Sequence, residues 1–483
     1  MSLWTSRDAA AATGGTPRQV WTASGVSIDT RTLERGDLFV ALSAARDGHE
    51  FVAEALAKGA AAALVSHVPE GLDETAPLLL VEDVLTALEG LARHDRARMS
   101  GRVIAVTGSV GKTTCKEMLR TLLEGRVHAS AASYNNHWGV PLTLARMPAD
   151  TDFAVIEMGM NHMGEIAPLS NLARPHVAVV TTVAEAHVEG FADQAAFGAP
   201  RSLIALEKAQ VFAGLESNGT AIVGAALADN VILMSVAKAM GVQVIDAGPH
   251  AAHWPEGLPV VDAALETLRD HVLVARGAQA HGENVDVALE WDGTPATFTM
   301  TSAQEHHHFN MRLAYAAACA AGADPARAAA RAVLWHAGAG RGAVHAWHTQ
   351  TATGLLIDES YNANPASMRA ALRGLRQYQE THQPIAILGD MKELGTASAA
   401  AHAAVMDEVA HLFGAQITVW TLGESMRQAS GSLDHRQTRH FETVDDISTA
   451  IGDLTGRHAI MVKGSNSMGL SKLVQSIILG NTV

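Results

Sequence analysis

Apolar and polar positions follow one another in a repeating order along this chain: a short apolar run, then glycine or a reactive polar residue, then a helical stretch. Leu38 to Leu42, Ala61 to Val65 and Leu78 to Val81 read as strands and Phe51 to Lys58 as a helix, so residues 1–97 predict a small α/β unit. From Arg102 the order becomes strand, glycine turn, helix. Val103 to Val106 is the strand, Gly108 to Gly111 the turn, and Lys112 to Leu123 a helix with Met118, Leu119, Leu122 and Leu123 on one side. Phe153 to Ile156 and Val177 to Val180 are further buried-strand candidates, and an alanine-rich helical stretch runs from about Asn310 to His336. The alanine bias from Ala225 to Ala251 reads as helix composition too. Gly338 to Gly342 has the look of a hinge. Beyond it Leu355 to Ile357, Ile385 to Leu388, Ile417 to Leu422 and Ala459 to Val462 alternate with helical segments, which predicts a second parallel sheet. The expected fold is α/β in three domains, 1–97, 98–337 and 338–483, which suits 483 residues at ~150 per domain.

The residues that end the apolar runs carry the chemistry. Ligands of open parallel sheets bind beyond the carboxyl ends of strands, and here those ends hold Thr107-Gly108, Glu157, Thr181-Thr182 with His187, Asp358, Gly389-Asp390 and Lys463-Gly464-Ser465. Two such sheets predict two domains facing one another across a cleft. The strongest signal runs from Thr107 through Gly108, Ser109, Val110, Gly111, Lys112 and Thr113 to Thr114, between a strand and a helix. Backbone N–H groups and the helix N-terminus there can cradle phosphates, Lys112 can reach the β/γ oxygens, and the Thr113 hydroxyl suits Mg²⁺. Val106 stands where the full phosphate-loop pattern has its first glycine. An ordinary strand-to-helix turn has no need of Gly-Lys-Thr-Thr, so a nucleoside triphosphate site is expected. Glu157 can hold Mg²⁺ directly or through water; the alternative is a carboxylate capping a strand. His187, one of 24 histidines, reads on residue type alone more readily as a hydrogen-bonded structural residue than as a ligand.

Other features read more plainly. His306, His307 and His308 point in different directions on a helix with no Cys or carboxylate at ligand spacing, which predicts a solvated surface rather than a metal site. Cys115 is expected to be a small buried residue. Asp358 to Pro365 follows a strand and opens a helix at Pro365. A capped loop needs one Asn or Asp, and the Asp, Tyr and two Asn present exceed that, which favours function.

Composition narrows the function classes. Apolar residues make up 48 % and charged residues 18 %, below the ~25 % usual in soluble proteins, which disfavours disorder. A net charge of -15 argues against nucleic-acid binding and against an electrostatic hold on membranes. Two cysteines make no disulfide framework. The first fifteen residues lack a signal-peptide pattern, and no segment reaches the ~20 apolar residues of a membrane span. A soluble, cytoplasmic and monomeric protein is expected.

Together the motifs resemble the Mur ligases of peptidoglycan synthesis. The matching segments are Ser27 to Leu33, Gly36 to Leu42, Asp47-Gly48-His49, Gly111 to Thr114, Tyr134 to Pro141, Glu157-Met158-Gly159, His187 to Phe191, Ser360 to Met368, Gly389 to Gly395 and Lys463-Gly464-Ser465, spread over nearly the whole chain. Gly-Lys-Thr-Thr alone marks only the wider superfamily, which includes folylpolyglutamate synthetases. Tyr361 to Pro365 and Gly389 to Gly395 point to the branch that joins D-alanyl-D-alanine to UDP-N-acetylmuramoyl-tripeptide with ATP and Mg²⁺. The resemblance implies an N-terminal UDP-sugar domain, a central ATPase domain and a C-terminal Rossmann-like domain that closes over the site. It implies that Ser27, Asp29, Thr30 and Arg31 face the UDP portion, and that Lys112, Thr113 and Glu157 hold ATP and a first Mg²⁺. His187 and Glu157 would hold a second Mg²⁺. Asn135, Asn136 and Asn310, with His306, would lie on the nucleotide side. Arg341 and Asp358 would meet the ribose and phosphates, and Tyr361, Asn362 and Asn364 would shape the dipeptide pocket. Lys208 matches a lysine carbamylated in the family, although the spacer from Phe191 is longer than usual. Asn466 stands where the family has Arg after Lys-Gly-Ser. The alternatives are a ligase of the same superfamily adding a single amino acid and a P-loop phosphotransferase.

Overall fold

The structure is a computed structural model and describes residues 2–44, 46–73, 75–131, 133–184, 189–191, 199–224, 227–247, 273–281, 284–292, 294–302, 304–434 and 438–480. The first sheet runs Thr16–Pro17, Leu78–Leu80, Ala62–Val65, Asp37–Val40, Gly25–Ser27, parallel except for its first strand. The central sheet is parallel throughout, in the order Gln243–Asp246, Thr220–Val223, Val177–Val180, Arg102–Thr107, Phe153–Glu157, Val127–Ala129. The chain leaves Arg102–Thr107 on one side and later returns on the other, so that strand's carboxyl end is the switch point where ligands bind in such sheets.

The apolar run Val103 to Val106 is continuous because both faces of the sheet are covered. Ile104 and Val106 join Met118, Leu119 and Tyr315 in one core, and Val103 and Ala105 join Val140, Ile156 and Ile204 in another. Helices Lys112–Leu122 and Glu305–Ala320 pack on the first face. The alanine-rich stretch is therefore a helix from Glu305, a second at Pro325–Arg331 and a short 3₁₀ turn. Between Ala225 and Ala251 the helix is Leu227–Ala239, but Gln243–Asp246 is the sheet's edge strand rather than helix. A three-stranded antiparallel sheet, Leu273–His281, Asn284–Trp291 and Thr294–Met300, was not expected. The second and third of these strands bury alternate residues, Val285 and Val287, Phe298 and Met300, instead of showing apolar runs.

The last sheet runs Ala343–His348, Ala352–Asp358, Gly456–Lys463, Gln383–Gly389, Thr418–Leu422, Thr438–Phe441. Five strands are parallel, but Ala343–His348 pairs antiparallel with Ala352–Asp358, so the expected all-parallel sheet is mixed. The hinge-like glycines lead directly into that antiparallel edge strand.

The N-terminal unit is tied closely to the central one. Trp4 Nε1 donates to Ala145 O at 2.9 Å. Arg96, on the helix Val84–Arg98, donates to Ala173 O and Arg174 O at 2.6 and 2.7 Å, which satisfies the carbonyl end of the helix Ile166–Ala173. Beside it Asp95 is fully buried. Its Oδ1 lies 2.9 Å from Arg98 Nε, yet neither carboxylate oxygen accepts a hydrogen bond. Burial, opposed by Arg98, raises its pKa to about 8. The folded state thus holds a proton that the unfolded state releases in the ordinary carboxylate range, so stability falls as pH rises from about 4 towards 8. Asp95→Asn is expected to remove that decline. Thermal unfolding of both proteins at pH 5 and pH 8 checks it, with the larger gain for the variant at pH 8.

Candidate active site

The phosphate loop leaves the carboxyl end of Arg102–Thr107 and rests on the segment that follows the neighbouring strand Val177–Val180. Ser109 N donates to Thr182 O at 2.8 Å, Val110 N to Thr182 Oγ1 at 3.0 Å, and Ser109 Oγ to Ala184 O at 2.9 Å. Two glycines permit this path. Gly108 has φ +148° and a Cβ there would meet Thr181 Oγ1 at 1.9 Å; Gly111 has φ +89° and a Cβ there would meet Asn310 Oδ1 at 2.4 Å. Gly111 caps the helix Lys112–Leu122 with no side-chain bond to its free N–H groups, which leaves that positive helix end open to an anion.

Around this loop the charged side chains converge. Lys112 Nζ donates to Gly108 O at 2.7 Å. It is reachable from the cavity yet enclosed by protein, and burial together with the Arg341 guanidinium lowers its pKa, against the pull of Glu157. Glu157 is buried; its Oε2 accepts from Thr113 Oγ1 at 2.8 Å and its Oε1 from Asn135 Nδ2 at 2.7 Å. Lys116, which sequence reading passed over, is fully buried with Nζ 4.0 Å from Glu157 and 2.7 Å from Ser130 O. Its only sequence signal is a lysine one helical turn after Lys112, on the core-facing side. Lys208 is also buried, on the helix Pro200–Ala209, and its pKa is held well below the usual amine value by burial and by Lys112. The neighbouring Glu207 accepts backbone N–H bonds from Gly164 and Ile166 at 2.8 Å each.

A cavity of about 950 Å³ joins this cluster to the last sheet. Central residues Lys112, Thr113, Asn135, Glu157 and Asn310 line one wall, and Arg341, Tyr361, Asn362 and Asn364 the other. Tyr361 OH and Ser133 Oγ lie 2.5 Å apart across the gap, and the Arg341 guanidinium sits 3.9 Å over the Tyr361 ring.

Three segments match family descriptions in order: residues 22–96 the Mur ligase family catalytic domain, 106–318 the Mur ligase middle domain, and 347–466 the Mur ligase glutamate ligase domain. The chain is 32 % identical to UDP-N-acetylmuramoyl-tripeptide--D-alanyl-D-alanine ligase of Bacillus subtilis, over 94 % of this chain and 93 % of the relative. The chain belongs to the Mur ligase family. The Escherichia coli ligase of the same name is 34 % identical, over 94 % of each chain. A crystal structure described as MurF from Acinetobacter baumannii superposes with a TM-score of 0.80 at 26 % identity, covering 99 % of each chain.

As a Mur ligase, the chain places its other expected site residues unevenly. His187 lies outside the described residues. Asn136 parts from Asn135: its Oδ1 accepts from Gly139 N at 2.9 Å, and it lines a second cavity of about 860 Å³ that meets the first at Gly159 and Asn161. Ser27 ends the strand Gly25–Ser27 and Asp29, Thr30 and Arg31 lie in the loop that follows, none of them lining the phosphate cavity. Ser27 is buried, and exposed Arg31 clasps Asp29 with Nη2 at 2.6 Å from Oδ2, holding that carboxyl below its usual pKa. Asn364 is the N-cap of the helix Pro365–Arg376 in a capping box with Ser367, and Asn362 Oδ1 accepts from Ala363 N, so part of the polar excess is spent on the loop itself.

Asp358 is buried and consumed locally: Oδ2 accepts from Gly340 N, and Oδ1 from Ser360 N and Oγ. The acid that faces the cavity is its neighbour Glu359, whose Oε1 is buried without a hydrogen-bond partner while Oε2 lies 3.3 Å from Lys463 Nζ. Two acids in succession gave no signal of which one turns inward. The triple histidine corrects the expected solvated surface. His307 is fully buried, His308 Nε2 lies 2.6 Å from Ser302 O, and His306 reaches the cavity 3.7 Å from Glu359. Their helix packs under the linker, and adjacent positions on a helix between two domains can all be covered. Cys115 is buried as expected, and burial pushes its thiol pKa up. Asn466 is exposed and opens a 3₁₀ turn. No helix among the described residues is long and apolar enough to cross a membrane.

Gly111→Ala is expected to cost about 1–2 kcal/mol from the left-handed backbone alone, with further loss as Asn310 is displaced. Gly338→Ala, in open space without positive φ, should stay within about 0.5 kcal/mol of the parent. Urea unfolding of the two variants measures both.

Proposed function

We propose that this chain joins D-alanyl-D-alanine to UDP-N-acetylmuramoyl-tripeptide, converting ATP to ADP and phosphate. The observation that carries the reading is a shared cavity in which an open phosphate loop faces the Tyr361 to Asn364 loop of another sheet. Full-length relatives bearing this activity in their names support it. The working units are 1–97 for the UDP portion, through Ser27, Asp29, Thr30 and Arg31, 98–337 for ATP, and 338–483 for closure and the dipeptide. The second cavity lies between the N-terminal helix that carries Glu89 and Arg93 and the Gly159 to Asn161 loop, which suits the peptide stem of the UDP substrate.

The chemistry brings two anions together. A carboxylate oxygen of the tripeptide attacks the γ-phosphorus of ATP and ADP leaves; the dipeptide amine then attacks the acyl carbon, phosphate leaves, and the amine loses a proton. Lys112, the backbone N–H groups of Gly108, Gly111, Thr113 and Thr114, and Arg341 neutralise and align the phosphates, while Ser109, whose N–H is held by Thr182 O, shapes the loop around them. Asn135, Asn310 and His306 flank the nucleotide, and Glu359, rather than Asp358, offers its open oxygen to a ribose hydroxyl. Thr113 and Glu157 already converge as hard oxygen donors, a set that fits Mg²⁺, with His187 as a further ligand. When bound, the ion offsets phosphate charge. Tyr361, Asn362 and Asn364 border the dipeptide. Closure of the last domain would shield the acyl phosphate from water.

Lys208 fits carbamylation because its amine is desolvated and beside a second cation, so a neutral amine is available to add CO₂ with release of a proton. The carbamate would bring an anion beside Lys112 and further oxygen donors for the metal.

Phosphate release should require ATP, the UDP-tripeptide and D-alanyl-D-alanine together, and Lys112→Ala should lower the rate by ~10²-fold or more. A colorimetric phosphate assay with each substrate omitted in turn is the test. Equal release without the dipeptide would contradict a ligase, and equal use of a single amino acid would favour the wider superfamily. Carbon-13 NMR of protein equilibrated with labelled bicarbonate should show a carbamate resonance that Lys208→Met abolishes.

A further inference from the structure

The fully buried His307 has no part in the chemistry above, yet its ring lies against the linker between the central and last sheets. Its Nε2 is 3.0 Å from Arg341 O and its Nδ1 2.7 Å from Ser302 Oγ. The carbonyl can only accept, so Nε2 carries the proton and Nδ1 accepts from the Ser302 hydroxyl. Trp335 packs edge-on at 4.9 Å between ring centroids. Gln304 Nε2 adds a bond to Gly342 O at 3.2 Å. The linker presses so closely here that a Cβ on Gly342 would meet His307 Cε1 at 2.7 Å, and one on Gly340 would meet Tyr361 Cβ at 2.7 Å. From the other side Asp358 takes Gly340 N on its carboxylate, and its backbone O accepts from Gly342 N at 2.7 Å. Arg341 is therefore held between a pin on the central helix and a pin on the first parallel strand of the last sheet.

We propose that His307 is a positioning residue that fixes Arg341 over the ATP phosphates by holding its backbone carbonyl to the central domain. The inference rests on the reading of Arg341 as a phosphate contact. It assigns a purpose to a histidine that is closed off from solvent. Burial and the neighbouring His306 lower its pKa to about 3, so the ring stays neutral and keeps this donor and acceptor arrangement throughout the working pH range. A ring pinned to a backbone carbonyl places the next side chain without occupying the site itself.

The test is a double-mutant cycle on the full-length chain, read as kcat and as KM for ATP. Arg341→Ala should raise KM for ATP or lower kcat by at least tenfold. His307→Ala should produce a loss of the same kind. In the Arg341→Ala background His307→Ala should add less than about twofold, because contacting residues that act through one another are not additive. His307→Gln, whose amide can donate from nearly the same place as Nε2, should recover most of the loss. Should His307→Ala fail to fold, Ser302→Ala, which removes the acceptor-fixing hydroxyl, should show the same non-additivity more mildly. Additive losses, a melting shift with unchanged kcat and KM, or no recovery with Gln would overturn the positioning role. An Arg341→Ala protein with normal ATP kinetics, while omission of the dipeptide still stops phosphate release, would overturn the inference and leave the ligase reading standing.

Discussion

The structure depends on concentrating positive charge at one point of an acidic protein. Lys112 and Lys116 stand by Glu157, Arg341 and Lys208 add their charge beside Lys112, the helix N-terminus adds its open N–H groups, and burial together with this repulsion lowers the pKa of Lys112 and Lys208. Such a cluster is costly to keep in protein alone. It is stabilised when anions enter, which turns an electrostatic liability of the empty fold into binding energy for phosphate and carboxylate. On the proposed function this is the cluster's purpose: two anionic reactants cannot approach each other until their charge is offset.

That constraint explains the architecture around it. The switch point of the central sheet supplies the loop, and the neighbouring strand supplies Thr181 and Thr182 to hold it open. The last sheet contributes the second wall through Arg341 and Tyr361, so the site is complete only when the two sheets face one another. The N-terminal unit has a different relation to the centre. Trp4, Arg96 and Arg146 bond to backbone carbonyls across that boundary, whereas the last sheet meets the centre through the glycine linker, held at Arg341 O and Gly342 O by His307 and Gln304, and through the Tyr361–Ser133 and Glu359–His306 contacts.

Much of this was legible in the residues. Continuous apolar runs marked the strands that are covered on both faces, and of the residues that follow them Glu157, Thr182 and Lys463 line the cavity. What failed to show was of two kinds. The antiparallel strands Asn284–Trp291 and Thr294–Met300 bury alternate residues, and the edge strand Ala343–His348 buries only Trp347, so no apolar run announces them. The inward turn of Glu359 in place of Asp358, the burial of His307 and the divergence of Asn136 from Asn135 are set by packing between units. No local pattern carries that information. Asn364 taught the converse: a polar residue at a strand end can be spent on a helix cap and still border the site.

On the proposed function the charge cluster lets a carboxylate attack a phosphate, and an amine then captures the acyl phosphate. Transfer of ¹⁸O from the labelled terminal carboxylate of the UDP-tripeptide measures this directly. One labelled oxygen is expected in each phosphate released during D-alanyl-D-alanine addition. Amide formation with unlabelled phosphate would contradict it.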